Sequence, residues 1–387
     1  MSLLTEEQRL IQAQMRRFAQ ERVAPHADRW DQDDATIPED IIQEMGRLGV
    51  FAAIFPPEYG GAGGSLTTAC VITEELSAAW LSVGSLPARN WLCGDILLKF
   101  GTPEQKARFL PNIATGTWQT ATAGTEPEAG SDAANIRTTA VRAGDHYVLN
   151  GTKMFTTFAD RADVLFVYAR TGPERHRGIS CFLLEKPGGT FDVPGLTARP
   201  IKTVGYHGMR TFALSFNDVR VPVDNLLGGV EGQGFRQLMS GYELARIQFA
   251  FRSIGLARAA YEAAVAYARQ RVQFGQPIAR FQAIRFRLAE MATQIEAARQ
   301  LGYHAAAQRD RGLRSDLEAG MAKLFASEMA LHVCWEALQI HGGNGYTMDY
   351  PVQRYWRDAG LLPIGEGTTE IQKEVIARRL LEEGGSP

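Results

Sequence analysis

Near the C-terminal end of the chain one glutamate stands among glycines, in Ile364-Gly365-Glu366-Gly367-Thr368, just before a run in which Thr369 and Gln372 have the spacing of a helix capping box. Small residues on both sides let backbone and ligand approach closely, so Glu366 has the setting of a buried base; taken alone, it also fits a loop glutamate ahead of an amphipathic helix. Three other segments have ligand-binding chemistry. Thr122 to Asp132 is a hydroxyl- and glycine-rich turn that offers donors to polar ligand atoms such as phosphate or a pyrimidine edge. Arg271-Val-Gln-Phe-Gly275, with Gln282 following, places a cation, an aromatic ring and an amide where two long helical patterns meet. Gln339-Ile-His-Gly-Gly-Asn-Gly-Tyr346 ends a third pattern in a glycine-dense turn, fitted either to cradle a pyrophosphate or to act as a helix C-cap.

These segments need elements to hold them. From Thr5 to about Trp118 apolar residues recur at helical spacing, as in Ile41, Met45 and Leu48, with breaks at Pro56-Pro57 and Gly60 to Gly64. The period then changes. Tyr147 to Leu149, Val164 to Tyr168, Ile179 to Leu184 and Phe212 to Phe216 are short β-prone runs bounded by Gly, Pro, Asn and Asp. Beyond Gly234 long helical segments return, over Gly241 to Arg271, Ala279 to Arg311, Ser315 to Ile340 and Gly367 to Leu381. The expected fold class is α+β and mostly α: an N-terminal helical domain over 1–118, a central β domain over 119–227 and a C-terminal helical domain over 228–387.

Composition narrows the function classes. The 387 residues are 45% apolar and 22% charged, with a formal net charge of −2, which suits a globular chain and supplies no broad basic surface for nucleic acid or anionic membrane. Arg175-His176-Arg177 reads as a solvated loop. Cys70, Cys93, Cys181 and Cys334 show no paired spacing, which argues against a zinc site or a disulfide framework and fits packing roles. No Rossmann fingerprint, Walker A segment, H-E-x-x-H or G-x-S-x-G occurs. The N-terminus shows no signal-peptide pattern, and a cytoplasmic bacterial location is expected.

Seven segments in register resemble the acyl-CoA dehydrogenase family of flavoproteins over nearly the whole chain. They are Thr125 to Asp132, Asn150 to Lys153, Asp218 to Pro222, Arg271 to Gly275, Gln339 to Gly345, Tyr355 to Asp358 and Glu366 to Thr368. The resemblance implies a central β domain of barrel or sandwich type, a C-terminal four-helix bundle, and FAD bound between subunits of a homotetramer built as a dimer of dimers. It implies flavin contacts at Thr122, Gly124, Thr125, Phe155 and Thr157, and contacts from the neighbouring subunit at Arg271, Phe274 and Gln282. Gln339, Gly342 and Gly343 match a pyrophosphate cradle, and Thr368 and Glu370 match adenosine-side contacts. Ser131, Tyr242, Glu243, Arg246 and Gly367 fall at substrate-side positions.

Glu366 matches the base of the commonest branch of the family. Some relatives carry that base on the long helix instead, at the position of Ala245 here, which has no carboxylate to offer. The implied reaction is α,β-dehydrogenation of an acyl-CoA to its trans-2-enoyl product, with hydride passing to FAD N5 and electrons onward to an electron-transfer flavoprotein. Phe155 stands where many relatives have tryptophan, and Thr156 to Asp160 also departs from the usual run near the flavin. A flavin-dependent oxidase or monooxygenase, and a non-catalytic scaffold subunit, are the alternatives. Arg89, in the region that forms the base of the acyl pocket, suits a carboxylate-ended acyl chain; as an isolated arginine it reads as a surface or structural residue. Trp80 and Trp91 read as core or interface, and His207 and His341 as structural.

Overall fold

The computed structural model describes residues 4–382. Helix α1 (Glu6–Phe18) begins at Thr5, whose side chain accepts from the Gln8 N–H while the Gln8 side chain accepts from the Thr5 N–H. A π-turn at Ala19–Val23 leads into α2 (Ala24–Gln32), and α3 (Glu39–Arg47), α4 (Leu66–Ala79), α5 (Leu81–Phe100) and α6 (Pro103–Thr115) follow. Trp80 and Trp91 are fully buried, as expected, and the Trp91 indole N–H donates to the Phe51 carbonyl at 2.9 Å.

Seven strands come next: β1 (Thr120–Ala123), β2 (Thr139–Ala143), β3 (His146–Thr157), β4 (Val164–Arg170), β5 (Ile179–Glu185), β6 (Leu196–Ile201) and β7 (Thr211–Pro222). They form one curled sheet in the order β1-β4-β2-β3-β7-β6, with β5 on β4. Strand β4 is covered on both faces: Val164, Phe166 and Tyr168 join the helical core, while Leu165, Val167 and Ala169 fill the curl of the sheet. This is why β4 reads as an unbroken apolar run in the sequence. Strands β1, β2 and β6 do not. Their sequences, TATA, TAVRA and LTARPI, are short, small-residued or half exposed, and hydropathy alone passes over them.

The chain then enters α7 (Gly234–Gln270), a small hairpin of β8 (Val272–Gln273) and β9 (Gln276–Pro277), α8 (Gln282–Asp310), α9 (Asp316–His341), α10 (Val352–Ala359) and α11 (Thr369–Glu382). Helices α7, α8 and α9 pack on one another and α11 closes against α9, the four-helix arrangement expected. Helix α7 starts seven residues before the expected Gly241. That glycine does not begin the helix; it lets α7 sit close on α5, where a Cβ would lie 2.6 Å from Ile96 and 2.7 Å from Leu92. Helix α10 escaped the sequence reading. Its Asp358 accepts from the Tyr206 N–H at 2.6 Å and its Arg354 pairs with Asp28 at 2.7 Å, so this short helix ties the sheet connections to α2.

The N-terminal helices, the C-terminal helices and the outer face of β4 and β5 share one core, represented by Val71, Leu76, Ile254, Ala330 and Tyr168. Between β1 and the sheet lies a buried ion pair: Lys153 Nζ donates to Glu126 at 2.7 Å and to the Gly124 carbonyl at 3.2 Å. Glu126 also accepts from the Arg137 N–H at 2.6 Å and the Thr138 N–H at 3.0 Å. Burial alone would raise the Glu126 carboxyl, but Lys153 and these donors hold it below the usual range. Glu126→Ala strands the Lys153 cation in the interior, and a loss of about 3–5 kcal/mol is expected. A clear drop in the urea midpoint checks this.

Candidate active site

Glu366 sits on the turn between α10 and α11 with φ +54°, and Gly367 follows at φ +92°. A left-handed glutamate is an uncommon conformation that its surroundings must hold. Three helices hold it. From α9, the buried Lys323 ammonium donates to the Gly367 carbonyl at 2.8 Å and to the Pro363 carbonyl at 3.4 Å. From α11, the Gln372 side-chain amide donates to the Gly367 carbonyl at 3.0 Å and the Glu366 carbonyl at 3.3 Å. From α7, the Phe249 ring lies against Gly365, where a Cβ would come within 3.0 Å of it.

The helix start differs from the expected capping box by one residue. Thr368 caps α11, its hydroxyl accepting from the Ile371 N–H at 3.3 Å, while the buried Thr369 hydroxyl has no hydrogen-bond partner. Gln372 is the reason: its side chain turns back to the Glu366 turn instead of to a cap N–H. The Glu366 N–H has no acceptor among the described residues.

The electrostatics around this turn are dominated by cations. Burial pulls the Lys323 ammonium down to about 8, opposed by Glu366. Burial lowers Arg246 and Arg252 as well, and Glu366 again acts the other way on both. On α7, the Tyr242 hydroxyl is raised by burial and by Glu366. Burial pushes the Cys93 thiol up to about 11, and this thiol lies 3.6 Å from the Thr122 hydroxyl, linking the glutamate to the edge of the sheet. Glu243 is engaged elsewhere, with Arg309 at 3.3 Å.

Thr122, Gly124 and Thr125 run along β1 and its exit. The Thr125 carbonyl accepts from the Met154 N–H at 2.8 Å, which places the bulged end of β3 beside them. There Phe155 adopts φ +55° and leaves its ring 60% exposed, and Thr157 bonds the Thr211 hydroxyl at 3.0 Å. Ser131 is exposed on the connection after β1. Arg271, Phe274 and Gln282 are exposed around the β8–β9 hairpin, Phe274 at 94% and φ +51°. Gln339, Gly342 and Gly343 are exposed at the end of α9, where Gly342 has φ +60° and open space around both glycines. Glu370 is exposed in the first turn of α11. Within one chain the structure gathers Thr122, Tyr242, Arg246, Glu366 and Gly367, and it leaves the hairpin and the α9 turn on the surface.

Family models for the acyl-CoA dehydrogenase N-terminal, middle and C-terminal domains match residues 5–117, 121–219 and 232–381. The chain belongs to the acyl-CoA dehydrogenase family. It is 46% identical over 385 residues to a (2S)-methylsuccinyl-CoA dehydrogenase of Cereibacter sphaeroides, covering 98% of this chain and 70% of that protein. It is 42% identical over 381 residues to an acyl-CoA dehydrogenase of Bacillus subtilis, covering 98% and 99%. The solved butyryl-CoA dehydrogenase of Megasphaera elsdenii superposes with a TM-score of 0.93 at 38% identity, covering 98% of this chain and all of that one. A glutaryl-CoA dehydrogenase of Mycobacterium smegmatis solved with FADH2 superposes at 0.91 and 29% identity, covering all of this chain and 97% of that one. As a member, the protein is an oxidoreductase acting on acyl-CoA. Among the described residues no helix is long and apolar enough to cross a membrane.

The residues present fit a flavin. An unpartnered aromatic face at Phe155 stands next to the hydroxyl-bearing edge of Thr122 and Thr125, the pairing of flat apolar surface and polar rim that a planar heteroaromatic ring needs. The sequence reading missed Lys323, Arg252, Phe249 and Cys93. A signal existed for the cations: Lys323 interrupts the small apolar run Ala319 to Ala326, and Arg252 interrupts Phe249 to Leu256. A charge inside such a run is rarely left without a role. Lys323→Met is expected to raise amide hydrogen exchange over residues 363–368 while helix content stays unchanged, as measured by exchange mass spectrometry and circular dichroism.

Proposed function

We propose that the protein dehydrogenates a saturated acyl-CoA to its trans-2-enoyl-CoA, with Glu366 removing the α proton. One observation carries the reading: Glu366 is presented on a turn fixed by α7, α9 and α11, next to buried cations, with its own N–H free to donate. Proton removal next to a thioester carbonyl demands a base held in a water-poor pocket and a donor for the charge that develops on oxygen. The Glu366 carboxylate supplies the first and its N–H is positioned for the second. Lys323 fixes the carbonyl of the next residue, so carboxylate and N–H keep a constant relation to the substrate.

FAD, when bound, supplies the hydride acceptor. Thr122, Gly124 and Thr125 hold its ring edge, with Phe155 and Thr157 covering it. Arg271, Phe274 and Gln282, exposed in the single chain, reach the FAD of a neighbouring subunit in a homotetramer. Gln339, Gly342 and Gly343 take the pyrophosphate, and Thr368 and Glu370 the adenosine side. Ser131, Tyr242, Glu243, Arg246 and Gly367 line the path of the CoA ester, and an electron-transfer flavoprotein takes the electrons onward. The three domains, 1–118, 119–227 and 228–387, divide this work between acyl pocket, flavin edge and bundle.

Glu366→Gln keeps the size and the turn but removes the base. Turnover is expected to fall by about 10²- to 10⁴-fold while the purified protein stays yellow with bound flavin. Near-normal turnover in that variant would sink the assignment of the base.

A further inference from the structure

Several buried or half-buried arginines of this chain are answered by carboxylates. Arg258 pairs with Glu75 at 2.7 Å, Arg309 with Asp95 at 2.9 Å, Arg354 with Asp28 at 2.7 Å, and Arg357 with Asp31. The half-buried Arg89 and the buried Arg246 and Arg252 have no ion pair among the described residues. Arg252 is 6% exposed, stacks its guanidinium over Phe249 at 4.7 Å, has the neutral Tyr206 hydroxyl as a hydrogen-bonding neighbour and makes no ion pair among the described residues. The Nε of Arg252 and the Nε of Arg89 are both buried without a hydrogen-bond partner. A guanidinium kept from water with neither counter-ion nor full hydrogen bonding is costly, so its retention asks for an anion that arrives from outside the chain.

The two arginines also share a place. Arg89 is close enough to weaken the hold of Arg252 on its proton and also acts on Cys93, one turn along α5, whose thiol lies 3.6 Å from the Thr122 hydroxyl; Cys93 and Arg252 both feel Glu366. The Phe249 ring that carries Arg252 on its face rests against Gly365, next to the base. An anion held by Arg252 therefore lies close to Glu366. Arg246 is assigned above to the thioester and nucleotide side, and Lys323 is occupied by backbone carbonyls, which leaves the Arg89 and Arg252 forks for the far end of the acyl group.

We propose that Arg89 and Arg252 form a carboxylate subsite at the closed end of the acyl pocket, and that the substrate is the CoA monothioester of a short dicarboxylic acid. Two planar guanidiniums match a carboxylate by parallel N–H donors, which a terminal methyl group cannot use. An acyl chain ending in methyl would leave both buried Nε groups unanswered. The inference rests on the dehydrogenation reading, and it replaces the expectation that Arg89 is a surface or structural arginine.

The test is anaerobic flavin bleaching of the holoenzyme by succinyl-, glutaryl- and adipyl-CoA and their α-methyl derivatives, each against the monocarboxylic thioester of the same carbon skeleton. At least one dicarboxylic member is expected to show kcat/KM higher than its partner by about tenfold or more. Arg252→Met and Arg89→Met should each shrink that ratio, chiefly through KM of the dicarboxylic ester. Binding of the same pairs to Glu366→Gln holoenzyme should show the same preference without turnover. Monocarboxylic esters bleaching the flavin equally well or better would overturn the subsite alone. No bleaching by either series would overturn the dehydrogenation reading and the subsite with it.

Discussion

The carbonyl of Gly367 accepts from Lys323 on α9 and from Gln372 on α11, and the position of Glu366 depends on those two donors. A glutamate at φ +54° between two glycines would otherwise sample many conformations, because its neighbours add little steric restraint. Helix α9 is fixed in turn by the core it shares with α4, α5 and α7, and α11 packs on α9. That common core explains why the Glu366 turn needs material from distant parts of the sequence. Glu366 and the sheet edge are set by one packed interior, so a shift in any helix is passed to the geometry at Glu366.

Burial of charge is the second constraint, and it acts differently in the two interiors of the molecule. Inside the sheet region the Lys153 and Glu126 pair is complete: the carboxylate has a cation and two backbone N–H donors, and the site is structural. Around Glu366 the balance is left positive, with Arg246 and Arg252 lacking partners at Nε. A fully answered pair rigidifies a fold, while an unanswered charge costs stability until a ligand completes it. The contrast separates support from binding site without reference to any motif.

The extent to which the sequence disclosed this arrangement follows the same physics. Glu366 was legible because glycines around a carboxylate are a local pattern, and α8 and α9 because their apolar spacing runs for many turns. β1, β2 and β6 were not, since strands of small or half-exposed residues leave little hydropathy signal. The one-residue shift of the α11 cap and the pairing of Lys323 with Gly367 are products of tertiary contact. Neither donor is adjacent in sequence to what it holds. Gly241 shows the reverse error, a glycine taken as the start of a helix when it marks a close helix crossing.

Arg252 shows how far such reading can be carried. In the sequence it is one arginine in an apolar helix, and the bland expectation is a partner carboxylate on the facing element, as Arg258 finds in Glu75 one and a half turns further along. The structure supplies an aromatic face, the neutral Tyr206 hydroxyl and a neighbouring arginine instead. An aromatic face eases the desolvation of a guanidinium but does not neutralise it, and a second cation nearby raises the cost. On stability alone the chain would gain by replacing this arginine with leucine. Its presence beside Glu366 is accounted for when the missing charge belongs to the proposed substrate, and the same charge then decides which acyl groups can enter.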